Sequence, residues 1–139
     1  MLTGFNHLHS ALRWVLLAVL VWTVIRAIIG RRTEGTAFSA QQAKLGLITM
    51  ILMHTQLLLG LALYMMKMGD LSRFFAMEHP MIMVLAIVAG TFGHILTKKA
   101  EGDQAKWRKQ STWMSIALLL LLAGIPWPFL AGFEAYGWF

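Results

Sequence analysis

Four long apolar runs, separated by short polar stretches, set the pattern of the chain: residues 9–29, 45–66, 80–97 and 111–130. Each is near the ~20 residues that an α-helix needs to cross a hydrocarbon core about 30 Å thick. The third is the shortest if it starts at Pro80. It can also begin earlier, because Leu71-Ser72-Arg73-Phe74-Phe75-Ala76-Met77 reads as an amphipathic interfacial segment. The fourth has no ionisable side chain before Gly124-Ile125-Pro126-Trp127-Pro128, where two prolines must bend or end the helix. No repeat or low-complexity tract interrupts residues 1–139, so a single domain is expected. The expected fold is an all-α membrane protein, a four-helix transmembrane up-down-up-down bundle with short loops.

Composition agrees. The chain is 58% hydrophobic and only 13% charged, where a soluble domain carries about 25% charged residues. It has no cysteine, which removes disulfides, thiolate metal sites and iron–sulfur clusters. The formal charge of +6 would fit nucleic acid in a soluble chain. In a membrane protein it reflects basic residues held on the cytoplasmic side, so no nucleic-acid partner is expected and membrane lipid is. The first apolar stretch is long and is followed by basic residues, so it reads as a span rather than a cleaved signal peptide.

The basic residues give an orientation. Arg26, Arg31, Arg32 and Lys44 flank the first loop, and Lys98, Lys99, Lys106, Arg108 and Lys109 the third. Lys67 and Arg73 lie in the middle loop and Arg13 near the N-terminus. Nine against three puts the first and third loops in the cytoplasm and both termini in the periplasm of a bacterial inner (cytoplasmic) membrane. Trp14, Trp127, Tyr136 and Trp138 are then expected in the outer aromatic belt, and Trp107 and Trp113 in the inner one.

With that orientation His7, His9 and His79 lie near the outer surface. His54 falls in the middle of the second run, and His94 about four residues from the cytoplasmic end of the third. A mid-bilayer histidine is costly unless hydrogen-bonded or ligating, so His54 is a candidate ligand; its plain alternative is a helix–helix hydrogen bond. His79, before a helix-starting proline, is either a ligand or an interfacial residue, and His94 beside Lys98 and Lys99 poses the same choice. His7 and His9 lie about 200° apart, so only one faces the bundle; His9, sharing a face with Arg13, is preferred. His79 and His94 stand about 22 Å apart along one helix and about 60° apart around it. The stripe between them, Met83, Ala86 and Gly90, is mostly small and leaves room for something flat. Of the ten methionines, Met65, Met66, Met68, Met77, Met81 and Met83 gather toward the outer side. They are either packing residues or, beside His79, a soft site for Cu(I).

The combination of His9-Ser10-Ala11-Leu12-Arg13-Trp14, His54-Thr55-Gln56-Leu57-Leu58-Leu59-Gly60 with Tyr64, Arg73-Phe74-Phe75, Glu78-His79-Pro80 and Ala123-Gly124-Ile125-Pro126-Trp127-Pro128 resembles a family of small four-helix bacterial membrane proteins. The family is common in Bacteroidetes-type genomes and is labelled cytochrome B-like. The resemblance covers nearly the whole chain and takes in His9, Arg13, His54 and His79. Histidines at two levels of a helical bundle are also similar to those of the diheme b-type membrane cytochromes, at the level of fold. The resemblance implies a b-type haem protein, with one or two haem b groups.

Haem needs axial imidazoles in an apolar pocket and cations for its propionates. Pairing by depth gives His9 with His79 near the outer face and His54 with His94 in the inner half, the latter with a mismatch of about 6 Å. A single haem between His54 and either His79 or His9 is a further arrangement. Arg13, one turn below His9, is the first propionate partner and Arg73 the second. Bis-histidine ligation leaves no open iron position and suits electron transfer. The chain then reads as an electron-transfer or accessory subunit, in an oligomer or a larger respiratory or photosynthetic assembly with membrane or periplasmic redox partners, rather than a stand-alone enzyme. Two rivals stand beside it: a copper-handling membrane protein using outer methionines and histidines, and a structural subunit with no redox role.

Overall fold

The computed structural model describes residues 1–133, so the expected belt positions of Tyr136 and Trp138 lie outside the described residues. The chain forms α1 (Leu2–Arg32), α2 (Ala40–Met66), α3 (His79–Lys99) and α4 (Asp103–Gly124), and a π-helical turn over Phe74–Glu78 runs directly into α3. No strand occurs among the described residues. Three helical segments, Leu2–Arg32, Ala40–Met66 and Phe74–Lys99, are long and apolar enough to cross a membrane.

Each helix packs on two neighbours, α1 on α2 and α4, and α3 on α2 and α4. Contacts pair early residues of one helix with late residues of the next. His9 of α1 meets Gly60 of α2, and Thr23 meets Thr49. Gly90 of α3 faces Ala117 of α4, and Gly124 of α4 sits against Ile82 and Met83 of α3. Between them lies a core of Leu16, Leu20, Met53, Ala86, Met114 and Ala117. The outward faces are equally apolar: Val15, Trp22, Ile51, Leu58, Leu85 and Leu119 are all exposed. A contiguous apolar exterior of this kind suits hydrocarbon rather than water.

Local chemistry fixes the helix ends. Ser39 caps α2 by accepting a hydrogen bond on its hydroxyl from the Gln42 N–H at 3.2 Å. Only three residues join α3 to α4, and the sharp turn is taken at Gly102, whose φ of 82° costs a glycine little. The expected span over 111–130 is helical only to Gly124. Ile125, held extended by the following Pro126, ends the helix at φ −79° and ψ 130°. Pro126 and Pro128 also lack the N–H groups that would have reached the carbonyls of Leu122 and Gly124. Side chains supply the missing donors: the Trp127 indole N–H donates to the Leu122 carbonyl and His79 Nδ1 to that of Gly124, each at 2.8 Å.

Pro80 does the same at the start of α3. It cannot donate to the Ala76 carbonyl, and the Tyr64 hydroxyl does so instead at 3.4 Å. The preceding turn widens, so that the His79 N–H reaches back five residues to the Phe74 carbonyl.

Packing differs from expectation in two places. Trp107, expected in the inner aromatic belt, is buried at 3% exposure against Gly30 and Phe38, with its indole N–H donating to the Thr36 carbonyl at 3.0 Å. The small stripe on α3 leaves no flat slot, because the Met53 thioether fills the space over Gly90 and the Met83 methyl lies against Gly124. At the Trp107 end a buried polar network replaces apolar packing. Gln42 Nε2 donates to Gln110 Oε1 at 2.7 Å and to the Thr23 carbonyl at 3.2 Å. Gln110 Nε2 donates to the Gln42 carbonyl at 3.3 Å, and Arg26 Nε to Gln42 Oε1 at 3.2 Å. Polar atoms with so many partners hold α1, α2 and α4 together at this end.

Candidate functional site

All four helices meet around His9 and His79. The π turn at Phe74–Glu78 changes the rotation of the chain just before α3, and His79 is the first residue after it. The His79 ring is half-buried, with Phe74 and Phe75 at centroid distances of 5.9 and 5.6 Å. A carbonyl oxygen can only accept, so the bond to Gly124 places the proton on Nδ1 and leaves the Nε2 lone pair of the neutral ring available. Metal-ligating histidines are commonly oriented by such a bond.

His9 approaches from α1. Its ring centroid lies 6.5 Å from that of His79, with an interplanar angle of 69°. Gly60 admits the ring: a Cβ there would stand 3.2 Å from His9 Cε1. Gln56, one turn earlier on α2, donates from Nε2 to the His9 carbonyl at 2.8 Å and pins that turn of α1. Three buried polar atoms at this end have no hydrogen-bond partner among the described residues: His9 Nδ1, Gln56 Oε1 and Glu78 Oε2. Buried polar groups are rarely left so.

The two cations expected here are placed differently from each other. Arg13 is half-buried one turn below His9, its guanidinium 5.2 Å over the Trp14 ring, which itself meets Trp127 edge-on at 6.3 Å. Arg73 is exposed and pairs with Glu78 at 3.1 Å. His7 is exposed, on the side of α1 away from His9.

The other two histidines are not brought together. His54 lies on the outside of the bundle, exposed, with Nδ1 bonded to the carbonyl of Met50 one turn earlier at 2.8 Å. His94 is half-buried and turns toward Gly46 of α2, where a Cβ would stand 3.9 Å from its Nδ1. Gly46 and His54 are eight residues apart, a rise of about 12 Å, so the pairing expected from depth is not formed. Of the outer methionines, Met65, Met66, Met68, Met77 and Met81 are exposed. No group of three or more histidine or carboxylate side chains able to hold a metal occurs among the described residues.

Gln56, Gly60 and the Gly124 carbonyl stand in the quoted motifs without an expected place at the site. The first two had a signal: they continue the steps of three and four that run Gln42, Gly46, Thr49, Met53, Gln56, Gly60, Leu63 along the inward side of α2. The Gly124 carbonyl had one in the prolines that follow it.

Comparison with protein-family models, with curated proteins and with solved structures finds no match to this chain.

Proposed function

We propose that this chain is a b-type haem protein of the bacterial inner membrane that passes electrons, holding one haem between His9 and His79. The observation that carries the proposal is the 6.5 Å approach of the two imidazole centroids, with the His79 lone pair freed by its bond to Gly124. Metal–imidazole bonds of roughly 2 Å on either side of an iron put ring centroids about 6 Å apart, so the spacing fits bis-histidine ligation.

The surroundings fit the group as well. Phe74, Phe75 and Phe133 form apolar walls on the His79 side, Phe74 and Phe133 standing 4.7 Å apart. Arg13 supplies a half-buried cation for a propionate, and Gln56 and Gly60 fix where the His9 ring stands. When bound, haem supplies a one-electron couple whose potential is tuned by its axial ligands and nearby charge. The residues of the chain orient two neutral imidazoles and exclude water. With His9 and His79 both holding the group, it would serve electron transfer rather than the binding of small molecules.

In this proposal α4 is the fourth span of an up-down-up-down transmembrane bundle, with the 33–39 and 100–102 loops cytoplasmic and the haem near the periplasmic face. The chain then works as a small subunit beside a membrane or periplasmic redox partner. The protein purified in detergent should show a Soret band and a sharp reduced α-band, both lost in His9→Leu and in His79→Leu. A colourless protein that carries copper instead would overturn the proposal.

A further inference from the structure

Gln56 of α2 is only 8% exposed and holds His9 by its backbone, its Nε2 donating to the His9 carbonyl at 2.8 Å. A carbonyl can only accept, so this bond fixes which end of the carboxamide is which: the nitrogen faces the carbonyl, and Oε1 is the free end. Oε1 is buried and has no hydrogen-bond partner among the described residues, and neither has Nδ1 of the His9 ring. An acceptor and a nitrogen able to donate are left over on two residues already tied to each other, where an unmade hydrogen bond is costly.

The pose of the ring relates the two atoms. A Cβ on Gly60, one turn after Gln56, would stand 3.2 Å from His9 Cε1 and 3.8 Å from Nδ1, with no other ring atom within 4 Å. The Cε1–Nδ1 edge therefore faces α2, and Nε2 is the nitrogen farther from it. A histidine that ligates through Nε2 carries its proton on Nδ1, and that proton requires an acceptor. Glu78 Oε2 is the other unpaired buried acceptor at this end, but it belongs to the π turn before α3 rather than to α2. We infer that Gln56 is the positioning residue of His9, its carboxamide clamping that residue at two points, Nε2 on the backbone carbonyl and Oε1 on the Nδ1 proton. The clamp rests on haem being held between His9 and His79. It gives His9 what the Gly124 carbonyl gives His79, a fixed tautomer with Nε2 unprotonated. An acceptor on Nδ1–H also makes the imidazole a stronger donor to iron and so favours the ferric state.

Full-length protein in detergent, with ¹⁵N-labelled histidine and the haem reduced, reports the His9 Nδ1–H resonance. It should be protected from solvent exchange in the wild type and move upfield in Gln56→Leu. The same change should lower the preference for ferric over ferrous iron about tenfold, a rise of ~59 mV in a one-electron couple, with haem still at one per chain. Gln56→Glu, which keeps an acceptor, should restore the resonance and bring the potential back to that of the wild type or below it. Glu78→Gln should leave the resonance in place. A His9 Nδ1–H resonance identical in wild type and Gln56→Leu, or one lost in Glu78→Gln, would overturn the inference and leave the haem proposal standing. Should Gln56→Leu shed its haem, Gln56→Glu decides: pigment restored together with the resonance upholds the clamp, and any other result overturns it. A wild type without haem would overturn both.

Discussion

His79 at the start of α3 donates through Nδ1 to the carbonyl of Gly124 at the end of α4, over 2.8 Å. The bond answers two needs at once. It satisfies a carbonyl that Pro128 leaves without a backbone donor, and it fixes the tautomer with an unprotonated Nε2, the one that the proposed haem ligation requires.

The two roles of His79 separate by substitution. His79→Leu should abolish haem binding and also lower stability by ~1–3 kcal/mol, because the Gly124 carbonyl is left buried and unpaired. His79→Gln retains a donor but is a poor axial ligand. It should recover much of the stability and none of the pigment, read by thermal melting in detergent alongside the Soret absorbance.

Gly60 sets the space in which the His9 ring stands. A methyl at this position needs a shift of only a few tenths of an ångström, since its Cβ would lie 3.2 Å from His9 Cε1. Gly60→Ala should therefore keep most of the haem. Gly60→Leu should displace the ring and lose it while leaving the helical circular dichroism unchanged.

At the opposite end, Gln110→Leu removes the acceptor of one of the two hydrogen bonds donated by the Gln42 amide, which is 0% exposed and keeps the Thr23 carbonyl and Arg26 as partners. The loss should be ~1–2 kcal/mol, in the range of interhelical hydrogen bonds in membranes. The double variant Gln42→Leu/Gln110→Leu should cost less than the sum of the two single changes, because each single change leaves an unpaired partner behind. Unfolding in mixed micelles measures all three.

Much of this architecture was legible in the sequence, and the parts that were not share a cause. Run lengths located the helices, and helical rise put His9 and His79 at one depth, where they do meet. Which side of α2 looks inward was harder to read. In hydrocarbon both faces of a helix are apolar, so polarity does not separate them. His54 follows Met53, a member of the inward stripe, and therefore points about 100° away from it, which depth does not register. The α3 stripe misled in the opposite direction: its small residues make room for Met53 rather than for a cofactor. Side chains substituting for backbone donors, as His79 and Trp127 do, depend on which helix ends come together, and proline positions mark only the carbonyls in need.

The asymmetry of nine basic residues to three predicts cytoplasmic loops around Thr33 and Gly102. Reporter fusions at Gly35 should be active only as cytoplasmic markers, and those at Gly69 and at the C-terminus only as periplasmic ones. A cytoplasmic C-terminus would move the His9–His79 site to the other face of the membrane.

The most direct test counts haem per chain by pyridine haemochrome assay on purified protein and its histidine variants. One haem per chain is expected in the wild type, in His54→Leu and in His94→Leu, with none in His9→Leu or His79→Leu. A wild-type chain without haem, or a full complement retained by His79→Leu, would contradict the account.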